Sequence, residues 1–161
     1  MGASPTVRTN FKMVFVINLK EEKELEEVAN IQEKCFGKIN KFSRNFLFNL
    51  WREFPEGFFL AKNQEKVVGY GVLKKEKEKA LIFSLAVLPE MQNKGIGKEI
   101  LKKMIELAKR QNFKKVYLHT KETNFKAIAF YQKFNFNIIK LEKNFYSTGE
   151  NAYLMELEIE K

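Results

Sequence analysis

A strand, a glycine-bearing loop and a long amphipathic helix follow one another between Ala80 and Arg110, and this run constrains the fold more than any other stretch of the chain. Ala80 to Leu88 is almost wholly apolar and reads as a strand that Pro89 ends. Ile96, Ile100, Leu101, Met104, Ile105 and Ala108 form one apolar stripe at helical spacing, with Lys98, Lys102, Lys103, Glu106, Lys109 and Arg110 facing away. Between strand and helix lies Gln92-Asn93-Lys94-Gly95-Ile96-Gly97. Glycines there let the backbone approach a ligand closely, and successive N–H groups at a helix N-terminus attract phosphate. A Walker A loop needs Ser or Thr after Gly-Lys, but Glu99 follows Gly97-Lys98. A dinucleotide fingerprint needs a third glycine where Ile100 stands. For so short a motif, a plain strand-to-helix turn is the alternative reading.

The flanking sequence alternates strands and helices. Met13 to Leu19 reads as a strand. Glu21 to Phe36 reads as a helix with an acidic start, placing Leu25, Val28, Ala29, Gln32 and Cys35–Phe36 on one face and Gly37 at its C-cap. After the loop Lys38 to Phe42, Ser43 is a good N-cap for a second helix reaching about Glu53. Phe58 to Lys62, Val67 to Lys74 and Ala80 to Leu88 form an antiparallel meander through turns at Asn63-Gln64-Glu65 and around Glu76 to Glu78. Val116 to Thr120 is the next strand. Asn124 caps a short helix carrying Ala127, Ile128, Tyr131 and Phe134 on one face. Phe136 to Leu141 and Ala152 to Ile159 close the chain as strands, the latter alternating strictly. Strand runs split by single helices imply a mixed sheet with helices on both faces.

With 161 residues there is room for one core: a flexible leader over residues 1–11 and a single domain over 12–161. Sixteen Phe point to a core built on aromatic burial. One cysteine excludes an internal disulfide and a cysteine zinc cluster, and one histidine argues against a His-based metal site, so no metal is expected, and a reduced, cytoplasmic setting is. The net charge of +9 suits RNA, a ribosome or a polyanionic cofactor. A solvated lysine-rich surface is the favoured explanation, since Lys74 to Lys79 reads KKEKEK rather than a long basic block. No membrane partner is expected, because the early apolar run Met13 to Ile17 falls far short of the roughly 20 residues of a span.

Taken together, Leu85-Ala86-Val87-Leu88-Pro89 and Gln92-x-x-Gly95-x-Gly97 resemble the acyl-CoA loop of the GNAT N-acetyltransferase superfamily. Leu118-His119-Thr120-x-x-x-Asn124-x-x-Ala127-Ile128-x-x-Tyr131-x-x-Phe134-x-Phe136 resembles its second half. Asn144-Phe145-Tyr146-Ser147-x-Gly149-Glu150-Asn151-Ala152-Tyr153-Leu154-Met155, with Pro55-Glu56-Gly57-Phe58-Phe59 and Val67-Val68-Gly69-Tyr70, is similar to the protein N-terminal acetyltransferases. The resemblance covers roughly residues 12 to 159.

It implies a GNAT fold, a mixed, mostly antiparallel sheet splayed at an acetyl-CoA-binding cleft, and acetyl transfer from acetyl-CoA to an α-amine, foremost a protein N-terminus. In that family the pantetheine arm pairs with the bulged strand, here Leu85, Ala86 and Val87, and the pyrophosphate lies on the loop, here Gln92, Asn93, Lys94, Gly95, Ile96, Gly97 and Lys98. Asn124 and Ala127 match cofactor-contacting positions, though Asn124 as a plain helix cap explains itself. Tyr131 matches the tyrosine that reaches the thioester sulfur and protonates the leaving thiolate. His119 matches a position where ribosomal-protein acetyltransferases carry a carboxylate and one eukaryotic enzyme a histidine, a base or water relay. Leu81 stands where that enzyme has a catalytic tyrosine, so the base role falls on His119, on a water chain or on Tyr146. The implied substrate residues are Phe36 and Phe83, around the first side chain, and Tyr146, on the substrate backbone. Cys35 is expected to lie away from the site. A small-molecule amine or a lysine side chain is the alternative acceptor, and a non-catalytic RNA- or ribosome-binding module the alternative class. Ribosome proximity and a monomer or homodimer complete the expectation.

Overall fold

The computed structural model describes residues 5–9 and 12–160, with side chains from Met13 onward. Of the leader expected over 1–11, Pro5–Thr9 forms strand β1, antiparallel to β2 (Lys12–Asn18); its other residues lie outside the described ones. The chain divides into two compact units, one comprising residues up to Lys74 with Phe83–Leu107, the other Lys75–Ile82 with Ala108–Lys161.

In the first unit β2 pairs antiparallel with β3 (Phe58–Asn63), and β3 with β4 (Lys66–Glu76). The β3–β4 turn is tight, with Gln64 in the left-handed region at φ 59°. Next to β4 runs β5 (Lys79–Val87), which enters this unit at Phe83. Helix α1 spans Leu25–Phe36 and α2 spans Arg44–Glu53. The expected start of α1 at Glu21 is corrected: Glu22–Glu24 is a short 3-10 turn. Its cause is Glu24, which turns inward, accepts from the Glu21 N–H and forms an ion pair with Lys62. Burial opposes charge on Glu24, but Lys62 and the backbone N–H outweigh it and hold the carboxyl below its usual range. Gly37 caps α1 at φ 91°, and Ser43 caps α2 by accepting from the Phe46 N–H at 3.1 Å, both as expected.

Helix α3 (Ile96–Arg110) seats its first turns on β4 at backbone distance. A Cβ at Gly71 would stand 2.6 Å from Ile100 Cγ2 and 2.9 Å from Met104 Sδ. One at Gly69 would stand 3.1 Å from the Ala86 carbonyl. Only glycine lets the helix come this close. Of the apolar stripe, Ile96, Ile100, Leu101, Met104 and Ala108 are buried; Ile105 is half-buried and Leu107 takes its place in the core.

In the second unit β6 (Lys115–Lys121) runs parallel to the first residues of β5, with register Lys79↔Lys115 to Leu81↔Tyr117. It is antiparallel to β8 (Ala152–Glu158), and β8 to β7 (Asn137–Glu142), which makes the fold mixed and mostly antiparallel. Helix α4 spans Phe125–Gln132. The strict in–out alternation expected of β8 does not hold: Glu156 is buried and Leu157 only half-buried. The Lys115 and Lys79 ammonium groups, 3.2 and 3.3 Å from Glu156, explain this, because they keep its carboxylate charged although burial opposes it.

Candidate active site

The first unit holds the glycine loop. The Val87 carbonyl at the end of β5 accepts from Gln92 Nε2 at 2.9 Å, and the Leu88 N–H donates to the Val68 carbonyl at 2.8 Å. A 3-10 turn, Pro89–Met91, separates them. Asn93 and Gly95 both take positive φ, 62° and 84°, and α3 begins at Ile96. A Cβ at Gly95 would meet no atom within 4 Å, so the glycine serves the backbone conformation and leaves open space beside it. The first N–H groups of α3 have no partner within the helix, and Lys94 and Lys98 flank them. This cradle fits a diphosphate.

On β5 the two-residue alternation slips. Leu85 lies 3.4 Å from the place a Gly71 Cβ would take, on the face that α3 covers. Phe83, two residues earlier, meets Phe42 and Phe46 at 5.7 Å instead, while Ser84 lies 2.7 Å from the Tyr70 hydroxyl. The alternation of buried and half-buried residues along β5 lapses over Phe83, Ser84 and Leu85, just before Ala86 and Val87. The ring partners of Phe83 are therefore Phe42 and Phe46; Phe36, at the end of α1, is half-exposed and its carbonyl accepts from Asn40 Nδ2. Sequence reading missed Phe42 and Phe46, whose ring spacing of 5.1 Å completes the cluster. It also missed how that cluster is held. Gln32, 2% exposed, donates to the Asn40 carbonyl and accepts from the Phe42 N–H at 2.8 Å, so it clamps both ends of the short loop.

One expectation is overturned here. Cys35 does not lie away from the loop: its Sγ is 3.2 Å from the Val87 carbonyl oxygen. Burial pushes the thiol up, so it stays protonated and donates. Protonation, rather than distance, is what makes it a poor nucleophile.

The second unit holds the remaining residues. Asn124 caps α4, its side chain accepting from the Ala127 N–H at 3.1 Å. Tyr131 is buried on the same helix, edge-on to Phe130 and Phe136 at 5.1 and 5.5 Å. Burial alone pushes its phenol far above the usual tyrosine range, so it holds its proton tightly.

His119 stands on β6 with Tyr117 and Lys121 on the same face. Its ring stacks on Phe145 at 4.2 Å and 19°, and Tyr117 meets it edge-on at 6.1 Å. Its Nε2 lies 3.1 Å from Glu142 Oε2. Tyr146 packs edge-on to Phe145, under the Lys121 ammonium at 5.7 Å. Burial, then Glu150, pushes the Tyr146 phenol up. The structure thus brings His119 and Tyr146 together through Phe145, and adds Glu142 and Tyr117. Glu142 carried no signal in the sequence, because its contact depends on strand register.

Compared with known families, residues 25–136 match the acetyltransferase (GNAT) family. An N-alpha-acetyltransferase of Sulfolobus acidocaldarius is 29% identical over 157 residues, covering 89% of this chain and 92% of its own. A ribosomal protein bS18-alanine N-acetyltransferase of Haemophilus influenzae is 29% identical over 136 residues, 82% of this chain and 86% of its own. Among solved structures, Ard1 from Thermoplasma volcanium superposes with a TM-score of 0.86 at 28% identity, covering 92% of this chain and 99% of that one.

Proposed function

This chain belongs to the GNAT acetyltransferase family, and we propose that the amine it acetylates is the α-amine of a protein or peptide N-terminus, with acetyl-CoA as donor. It is an acyltransferase acting on an amine. One observation carries the finer reading: the likeness to an N-alpha-acetyltransferase runs through nearly the whole of both chains. The family match includes residues of both compact units, which supports treating 12–161 as one acetyltransferase domain.

In this reading the loop N–H groups and Lys94 and Lys98 hold the pyrophosphate, Leu85 to Val87 pair with the pantetheine arm, and Asn124 and Ala127 line it. A backbone N–H near Val87 steadies the charge that grows on the thioester oxygen. His119, directly or through water, takes the proton of the attacking amine. Tyr131 gives its phenolic proton to the departing thiolate, a role supported by the match of its position to the family's tyrosine. Tyr146, Phe83 and Phe36 meet the peptide. A basic chain working near ribosomes in the cytoplasm belongs to the same proposal.

The test is to incubate the purified protein with acetyl-CoA and peptides differing only in residues one and two, and to read acetylation by mass spectrometry. Peptides with a free N-terminus gain one acetyl group there. Modification confined to lysine in N-terminally blocked peptides, or to small amines, would contradict the reading.

A further inference from the structure

His119 and Glu142 meet across a strand that lies between theirs. The register sets His119 opposite Leu154 and Lys121 opposite Ala152 on β8, and Ala152 in turn opposite Glu142 on β7. Two strand spacings, about 9.6 Å, separate β6 from β7. The side chains nevertheless close to 3.1 Å, because Ala152, on the same face and fully buried, offers only a methyl group between them. Glu142 spends its other oxygen on Lys140, Oε1 to Nζ at 3.3 Å. Phe145 lies flat on the imidazole and fixes its plane.

An ionised carboxylate accepts hydrogen bonds and donates none. The imidazole nitrogen facing it must therefore carry a proton, and in the neutral ring the lone pair is left on the other nitrogen. We propose that Glu142 is a positioning residue that holds His119 as the Nε2–H tautomer, so that Nδ1 is the atom that takes a proton. This rests on the reading of His119 as base or relay.

The chain has a single histidine, so its imidazole signals need no assignment. Long-range proton–nitrogen spectra of 15N-labelled protein, recorded where the ring is neutral, show the Nε2–H pattern in wild type. Glu142→Ala moves both nitrogens toward averaged, mixed-tautomer shifts. It also lowers kcat about tenfold, with KM for acetyl-CoA and peptide changed little. Glu142→Gln offers Nε2 either its oxygen or its NH2, so it holds the ring less selectively and falls between the two in tautomer pattern and in turnover. A wild-type pattern in Glu142→Ala overturns the proposal, as does an altered pattern with undiminished kcat. If His119→Ala turns over like wild type, the base reading fails by itself, and the spectra still decide whether Glu142 holds the ring.

Discussion

Gln92 donates its side-chain Nε2–H to the Val87 carbonyl at 2.9 Å, tying the loop back to the end of β5. Gln92→Ala removes this tie at about 1 kcal/mol, the usual net worth of such a bond. Acetyl-CoA affinity is expected to fall about fivefold by calorimetry, with the melting temperature lowered by only a few degrees. Unchanged affinity would detach the tie from cofactor binding.

Gly95 and Gly71 separate binding from folding. At Gly95 a side chain meets open space, so Gly95→Leu strains the backbone by about 1 kcal/mol and otherwise obstructs only the ligand. Gly97→Leu is expected to weaken acetyl-CoA likewise. Gly71→Ala drives a methyl group into Ile100 and Met104 and destabilises by about 1–3 kcal/mol in urea unfolding. A Gly71→Ala protein as stable as wild type would contradict the packing of α3.

Tyr131→Phe is expected to lower turnover while acetyl-CoA still binds, since only a proton donor is lost. Its stability has a defined sign with pH. The folded phenol titrates above its unfolded value of about 10, so its contribution is fully present below that pH and is lost as pH rises further. Melting temperature therefore declines above about pH 10, less steeply in Tyr131→Phe than in wild type. Parallel declines would show that the hydroxyl is not buried.

Gln32→Leu leaves the Asn40 carbonyl and the Phe42 N–H without their partner, at about 1–3 kcal/mol. Freed from the clamp, Phe42 loses its position against Phe46 and Phe83. Peptide KM is expected to rise severalfold while acetyl-CoA affinity holds; equal losses in both would mean general unfolding.

Much of this architecture is legible in the residues themselves. Ser43, Gly37 and Asn124 cap the helices their chemistry suits, and the glycine loop precedes α3 as its spacing requires. Periodicity reports which face a residue takes but not what it meets there. Cys35 therefore reads as an ordinary helix residue until α1 is laid against the end of β5. Glu142 likewise needs the register of three strands before it reaches His119. Glu24 breaks the first turn of α1 for a similar reason, since its partner Lys62 is distant in sequence.

The Cys35–Val87 contact gives the molecule a clock. Cys35 is the only thiol, and it is half-buried, protonated and bonded to the last carbonyl of β5. Alkylation needs the thiolate, so burial and the bond to Val87 slow the labelling of Cys35 and opening of the contact speeds it. The labelling rate thus counts how often the end of β5 lets go, without any added probe. If acetyl-CoA pairs with that strand end, each increment of ligand slows the count, and occupancy can be read from a single mass shift against time.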